Sequence, residues 1–279
     1  MKIQRTVVPP ADPNAYAPTP ARPLRGKARR MAHQMDIQPH RHDWGQLVFS
    51  ISGAVRVSAQ KDPADAAAPA GSTFLVPPSR AVWIPPGVVH AVSAIARADL
   101  RTLYLLQGQL EGAAWQRCRV LEVSPLLREL VLQLETDPAV RPETDSELAR
   151  EALISRLIVD ELHRARALRL GVELPGDPRL RRLCEAMLNE PGRHAGLEAW
   201  SAEVGASART VSRLFREQLG TSFAQWRSQV LLAHALSMAA RSKPMSHIAA
   251  ELGYASASAF TAMVTRTVGM PPSRFFAEA

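Results

Sequence analysis

Apolar residues change their spacing twice along the chain, and the changes divide it. Residues 1–30 hold many prolines and basic side chains without an apolar period, which predicts a mobile tail extending to about residue 33. Between about Asp36 and Leu106 the runs LVFSISGAVRVSA, STFLV, RAVWI, HAVSAI and LRTLYLL are short, β-branched or aromatic, and bounded by Gly, Pro or Asp. They predict successive strands of a β-barrel or sandwich in a domain of residues 34–112, with PADAAAPAGS as a loop. After Gly112 the period becomes helical. Leu126, Leu127, Leu130, Val131 and Leu134 predict one apolar stripe, and Leu153, Leu157, Ile158 and Leu162 predict another. Residues 113–173 are therefore expected to be a helical segment, either covering the barrel or making a dimer contact. The breaker LPGDP marks a hinge, and residues 177–279 read as all-helical.

Two segments of that last region resemble each other, SAEVGASARTVSRLFREQLGTSFAQW and AAELGYASASAFTAMVTRTVGMPPSRFF. Each predicts a short helix, a turn at Gly205 or Gly253, a second helix, and a closing Gly220 or Gly269. This is the helix-turn-helix pattern, present twice. In the first second-helix, Val211, Leu214, Phe215 and Leu219 form the inward stripe. Arg209, Ser212, Arg213 and Arg216 point outward, with Thr210 at the edge. Arginines on such a face suit the major groove, where each good bidentate pair with guanine discriminates by about 1–3 kcal/mol. In the second unit Phe260, Met263 and Val264 face inward, and Ser258, Ala259, Ala262, Thr265 and Arg266 face outward. Alanine can touch a thymine methyl and Arg266 a phosphate, so little direct base readout is expected there. Between the units, SFAQWRSQVLLAHALSMAARS predicts one helix, opened by a Ser222–Gln225 capping box and buried along Trp226, Val230, Ala233 and Leu236. Such a connector would hold the two reading helices about one DNA turn, roughly 34 Å, apart.

Charge agrees with this division. The net charge is +8, with seven Lys/Arg against one Asp in residues 1–33 and twelve against eight in residues 177–279. The middle is mildly acidic, so the ends are the parts expected to meet phosphates. A chain of 279 residues is long enough for two domains, and 46% hydrophobic with 22% charged residues is ordinary for a globular protein. No run of about 18 uncharged apolar residues predicts a membrane span, and no short apolar core predicts a secretory leader. Cys118 and Cys184 match no metal or disulfide spacing and fit a reducing cytoplasm.

The C-terminal region resembles the DNA-binding domain of the AraC/XylS family of bacterial transcription regulators. The resemblance rests on S-x-R-x-V-x-R-x-F from Ser207 to Phe215, A-x-x-x-G-Y from Ala249 to Tyr254, S-x-S-x-F from Ser256 to Phe260, and G-x-P-P from Gly269 to Pro272. It implies base contacts at Arg209, Thr210, Ser212 and Arg213 of the first unit and at Ser258, Ala259 and Ala262 of the second. Ser207, Arg216, Ser256 and Arg266 complete the expected DNA-binding set.

The stretch HRHDWGQLVFSISG carries the other candidate chemistry. His40-x-His42-x3-Gln46-x6-Gly53 and Pro85-x-Gly87-x2-His90 resemble the two cupin motifs, with Gln in place of Glu. By that resemblance His40, His42, Gln46 and His90 converge inside a small barrel. Three imidazoles and an oxygen suit Fe, Mn, Ni, Cu or Zn, although a neutral amide binds a dication less well than a carboxylate. VPPSRAVWIPPGVVH also resembles the sensor half of those AraC/XylS members that begin with a cupin. The histidines thus read as metal ligands, as the polar part of a metal-free effector pocket, or as hydrogen-bonded barrel residues. Trp44, Trp83 and Tyr104 are candidates to line the same cavity.

The expectation is an α+β two-domain transcription regulator, an effector-binding cupin β-barrel with amphipathic helices followed by an all-α double helix-turn-helix. Its expected partners are double-stranded DNA, a small-molecule effector, RNA polymerase and a second copy of the chain. The alternative is a metal-dependent cupin enzyme, a dioxygenase or isomerase, with an accessory DNA-binding domain. The sensor half shows no nucleophile–base pair or carboxylate pair that suggests other catalysis.

Overall fold

The computed structural model describes residues 6–276 except 13, 34, 61–71, 77, 79, 96, 135, 138, 141–143, 169–170, 240 and 270, and the backbone alone of 72, 75, 168 and 171–173. In chain order the strands begin with β1 (Thr6–Val8), β2 (Leu24–Met31), β3 (Met35–His40), β4 (Gly45–Ser52), β5 (Val55–Ala59) and β6 (Ser72–Val76). They continue with β7 (Arg80–Ile84), β8 (His90–Ala94), β9 (Ala98–Leu105) and β10 (Arg119–Glu122). Helices α1 (Pro125–Leu132) and α2 (Asp145–Arg164) lead to β11 (Ala167–Leu168) and β12 (Gly171–Glu173). Then come α3 (Pro178–Asn189), α4 (Leu197–Glu203), α5 (Ala208–Leu219), α6 (Phe223–Ala239), α7 (Met245–Glu251), α8 (Ala257–Val268) and α9 (Pro272–Phe275). Short 3-10 turns stand at Asn14–Tyr16 and Ala113–Trp115. The chain divides into two compact units, residues 1–59 with 78–169, and residues 60–77 with 170–279.

The first unit is a sandwich of two unclosed sheets, the second of the two forms that the strand pattern allows. One sheet runs β11-β10-β7-β4-β9-β2, and the facing one contains β1-β3-β8-β5. Strand alternation gives the first sheet two different faces. Leu24, Leu47, Phe49, Ala81, Trp83, Leu103, Leu105 and Leu121 join one core with Leu127, Val131, Leu134, Ile158 and Leu162 of the helical segment. The opposite face carries Gln46, Val48, Thr102 and Tyr104 into a cavity. Burial on both faces explains why β4 is buried continuously from Gly45 to Ser50 instead of alternating. Gly45 is required there, because a Cβ would stand 2.0 Å from the Trp83 ring.

Three sequence expectations change. The tail of residues 1–33 is not mobile throughout, since β2 pairs with β9 over its whole length, from Leu24–Leu105 to Met31–Ala98. It lacked a recognisable apolar period because Arg25, Lys27 and Arg29 occupy one face of the strand, with Leu24 and Gly26 buried on the other. Residues 113–173 are not purely helical, since β10 pairs with β7 and β11 with β10. Val120 and Leu121 are adjacent and both buried, so this edge of the sheet shows no alternation. The helix stripes are narrower than expected, with Leu126, Leu153 and Leu157 exposed by 52%, 61% and 48%. Helix α2 instead buries Ser155, Ile158 and Leu162 after a Thr144–Glu147 capping box. Of the predicted loop, residues 63–71 lie outside the described residues.

In the second unit α6 is the centre. It is apolar nearly all round, and Phe223, Trp226, Val230, Leu231, Leu232, Ala235 and Leu236 are all buried. The predicted one-sided face was too narrow because α3, α5, α7 and α8 all pack on this helix. Its start is the predicted capping box: Gln225 N–H donates to Ser222 Oγ at 3.2 Å, and Ser222 N–H to Gln225 Oε1 at 3.1 Å. β12 pairs with β6, so the unit is not purely helical.

Candidate functional site

The duplicated units coincide down to their hydrogen bonds. In the first turn Gly205 N–H donates to Ala202 O and Ala206 N–H to Ser201 O; in the second Gly253 N–H donates to Ala250 O and Tyr254 N–H to Ala249 O. Both glycines take left-handed backbone, φ 66° and 78°, which a side chain would strain. One residue more separates Gly253 from its cap than separates Gly205 from its own. Ser207 Oγ then accepts from Thr210 N–H, and Ser256 Oγ accepts from Ala259 N–H, each at 3.1 Å. These caps satisfy N–H groups at the starts of α5 and α8, the ends that approach bases in this motif.

The faces divide as the spacing predicts, except that Leu214 and Leu219 of the inward stripe are half-buried. Val211 and Phe215 are buried, Phe215 against Phe223 and Trp226, while Arg209, Arg213 and Arg216 are exposed and Thr210 and Ser212 half-buried. Arg213 holds Glu217 at 2.6 Å, one turn along the helix. In α8, Phe260, Met263 and Val264 are buried, and Ser258, Ala259, Ala262 and Arg266 are exposed, as is the cap Ser256. Sequence reading missed Glu217 as a competitor for Arg213. The i,i+4 spacing was the available signal.

The cavity of the first unit is built from both sheets. His40 ends β3 and His90 opens β8 as its cross-strand partner. Gln46 on β4 and Tyr104 on β9 are partners in the facing sheet. His42 and Trp44 come from the β3–β4 connection, pinned where Gly87 N–H donates to His42 O at 2.8 Å. The Trp44 ring stacks on His42 at 5.1 Å, and Tyr104 meets His42 edge-on at 5.5 Å. Trp83 is not part of this cavity. It lies on the other sheet face, donating to Trp115 O at 2.8 Å.

Each histidine directs Nδ1 at a backbone carbonyl: His40 at Gln38 O, His42 at Trp44 O and His90 at Val88 O, at 2.8–2.9 Å. A carbonyl only accepts, so the ring proton sits on Nδ1 and Nε2 keeps its lone pair. Burial lowers the pKa of all three, His90 to about 3, so the rings are neutral near pH 7. The imidazoles lie close enough for their ligand atoms to fall within 4.8 Å of one another. Gln46 Oε1 stands 2.6 Å from His42 Nε2 and 3.0 Å from His90 Nε2. An oxygen facing two nitrogen lone pairs is repulsive unless a cation lies among them, or the amide turns its NH2 toward the rings. The donor set therefore fits a first-row transition metal, with the carbonyls as the outer shell that orients each ring.

A cavity-bearing sandwich and twin capped helix-turn-helix units define a transcription regulator with a ligand-binding domain. Residues 200–278 match the helix-turn-helix domain, and residues 27–157 match the AraC-like ligand binding domain. The chain is 30% identical over 238 residues to the HTH-type transcriptional regulator NimR of Escherichia coli (strain K12), covering 85% of this chain and 81% of that protein. It is also 29% identical over 153 residues to the HTH-type transcriptional activator RhaR of Salmonella schwarzengrund (strain CVM19633), covering 53% and 52%. Among solved structures, ToxT from Vibrio cholerae aligns over 91% of this chain and 98% of its own, with 9% identity and a TM-score of 0.35. The chain belongs to the AraC family. It is a DNA-binding transcription regulator with an N-terminal ligand-binding domain, and not the cupin enzyme weighed as the alternative. No helix among the described residues is long and apolar enough to cross a membrane.

Proposed function

We propose that the chain acts in the cytoplasm as an effector-controlled regulator in which α5 reads base sequence and α8 mainly grips phosphate. The observation that carries this is the contrast between two equally capped helices, one presenting Arg209 and Arg213 and the other Ala259 and Ala262. The long α6, about 25 Å by its rise per residue, serves as the rigid connector between the two reading helices.

The effector enters the cavity bounded by His40, His42, Trp44, Gln46 and Tyr104 and biases how two copies engage adjacent half-sites. That raises effective concentration without any new base contact. Exposed Leu148, Leu153 and Leu157 on α2 are the proposed dimer contact, and RNA polymerase is the proposed partner at the promoter. A second reading of the same cavity follows from the locked imidazoles. His40, His42 and His90 through Nε2, with Gln46 Oε1, would hold a transition metal whose charge gives the cavity a Lewis-acidic end.

Sequencing the genomic DNA that co-purifies with the chain after crosslinking tests the regulatory reading. Discrete intergenic sites are expected, and uniform coverage would overturn it.

A further inference from the structure

The β2 strand, which sequence pattern alone places in a tail, supplies the cationic wall of the cavity. Alternation turns Arg25, Lys27 and Arg29 to the face opposite Leu24, and Lys27 and Arg29 line the same space as His40, Trp44 and Tyr104. Lys27 is only 9% exposed. Its Nζ sits 5.2 Å from the centre of the Tyr16 ring, and among the described residues no carboxylate pairs with it. No Asp or Glu is among the lining residues, whose remaining members include Ile37, Val92 and Leu100.

Burying an ammonium that no carboxylate pairs is unfavourable, and its pKa falls to about 8 because of that burial, with Arg29 adding to the shift. An anion in the cavity would reverse both effects. The cavity is partly open to solvent and offers about 30 Å³, room for a compact head group of a few atoms. We propose that Lys27 and Arg29 form an anion subsite and that the effector is a small carboxylic acid, its carboxylate between these cations and its apolar part against Trp44 and Tyr104. This rests on the effector reading of the cavity and narrows it to one chemical class.

The charged and titratable groups around Lys27 are Arg25 and Arg29 on its own strand, Tyr104 on β9, Tyr16, His40 and His42. Burial raises both tyrosines, Tyr104 to about 12, and lowers His40. Carboxylate affinity therefore falls about twofold between pH 7 and 8 and approaches a tenfold loss per pH unit above that, as the free protein gives up the Lys27 proton.

The test is calorimetric titration of the full chain with sodium benzoate and sodium acetate against benzamide and acetamide at matched ionic strength. At least one acid should bind tenfold or more tightly than its amide. Lys27→Met should remove that preference without lowering Tm, Lys27→Arg should retain it, and Arg29→Gln should weaken it severalfold. Equal binding of acids and amides, or an unchanged preference in Lys27→Met, overturns the subsite. A neutral ligand whose binding is lost in Tyr104→Ala, with no preference for acids, would refute the subsite and leave the effector reading standing.

Discussion

Arg213 offers the sharpest quantitative test of the DNA-reading face. In the free protein it is held by Glu217 at 2.6 Å, but both side chains are more than half exposed, 61% and 51%. Such an exposed i,i+4 pair contributes about 0.3–0.5 kcal/mol. A bidentate pair with guanine discriminates by about 1–3 kcal/mol. Exchanging one for the other leaves a net of about 0.5–2.7 kcal/mol, so Arg213→Ala should weaken specific sites roughly 2- to 100-fold. On random DNA the loss is at most one phosphate contact. Removing the competitor gives the opposite sign, and Glu217→Gln should strengthen binding about twofold on both kinds of DNA. Fluorescence anisotropy with a selected site and a scrambled duplex, measured at the same salt, reads both. Equal losses on the two duplexes for Arg213→Ala, or weaker binding by Glu217→Gln, would refute the assignment of α5 as the base-reading helix.

Arg266→Ala should lower affinity for all sequences alike and reduce the salt slope by about one unit, checked by titrating affinity against salt concentration. Gly45→Ala should cost about 1–3 kcal/mol by driving a methyl into the buried Trp83 ring, seen as a lower midpoint in urea with an unchanged slope. If the imidazole cluster holds a metal, the purified chain carries about one equivalent by elemental analysis, a chelator lowers its Tm, and His42→Ala abolishes both. A metal-free sample whose Tm is indifferent to chelator and to added Zn²⁺ would leave Gln46 donating through its amide to His42 and His90.

How much of this was legible in the sequence differs between the two units. The helical unit could be read closely because its signals are local. The Gly205 and Gly253 turns, the Ser207 and Ser256 caps and the Ser222–Gln225 box each act within a few residues, and the outward faces follow from the 3.6-residue period. The sandwich was legible in its central strands and obscure at its edges. There, β2 turns cations inward to a cavity, and β10 buries neighbouring residues on both faces, so neither shows the alternation expected of a half-buried strand. The histidines were identified by spacing, but their shared tautomer was not, because it depends on carbonyls two residues away that only the folded backbone aims at Nδ1. Trp83 was misplaced for a related reason. A strand residue one position out of register with Val82 faces the helices instead of the cavity.

The central claim is that the chain recognises DNA sequence through α5 far more than through α8. Selection of bound duplexes from a random pool by the full-length protein tests it most directly. A strong motif beneath α5 beside a weakly constrained stretch about one helical turn away is the expected outcome. Two motifs of equal strength, or no enrichment at all, would contradict it.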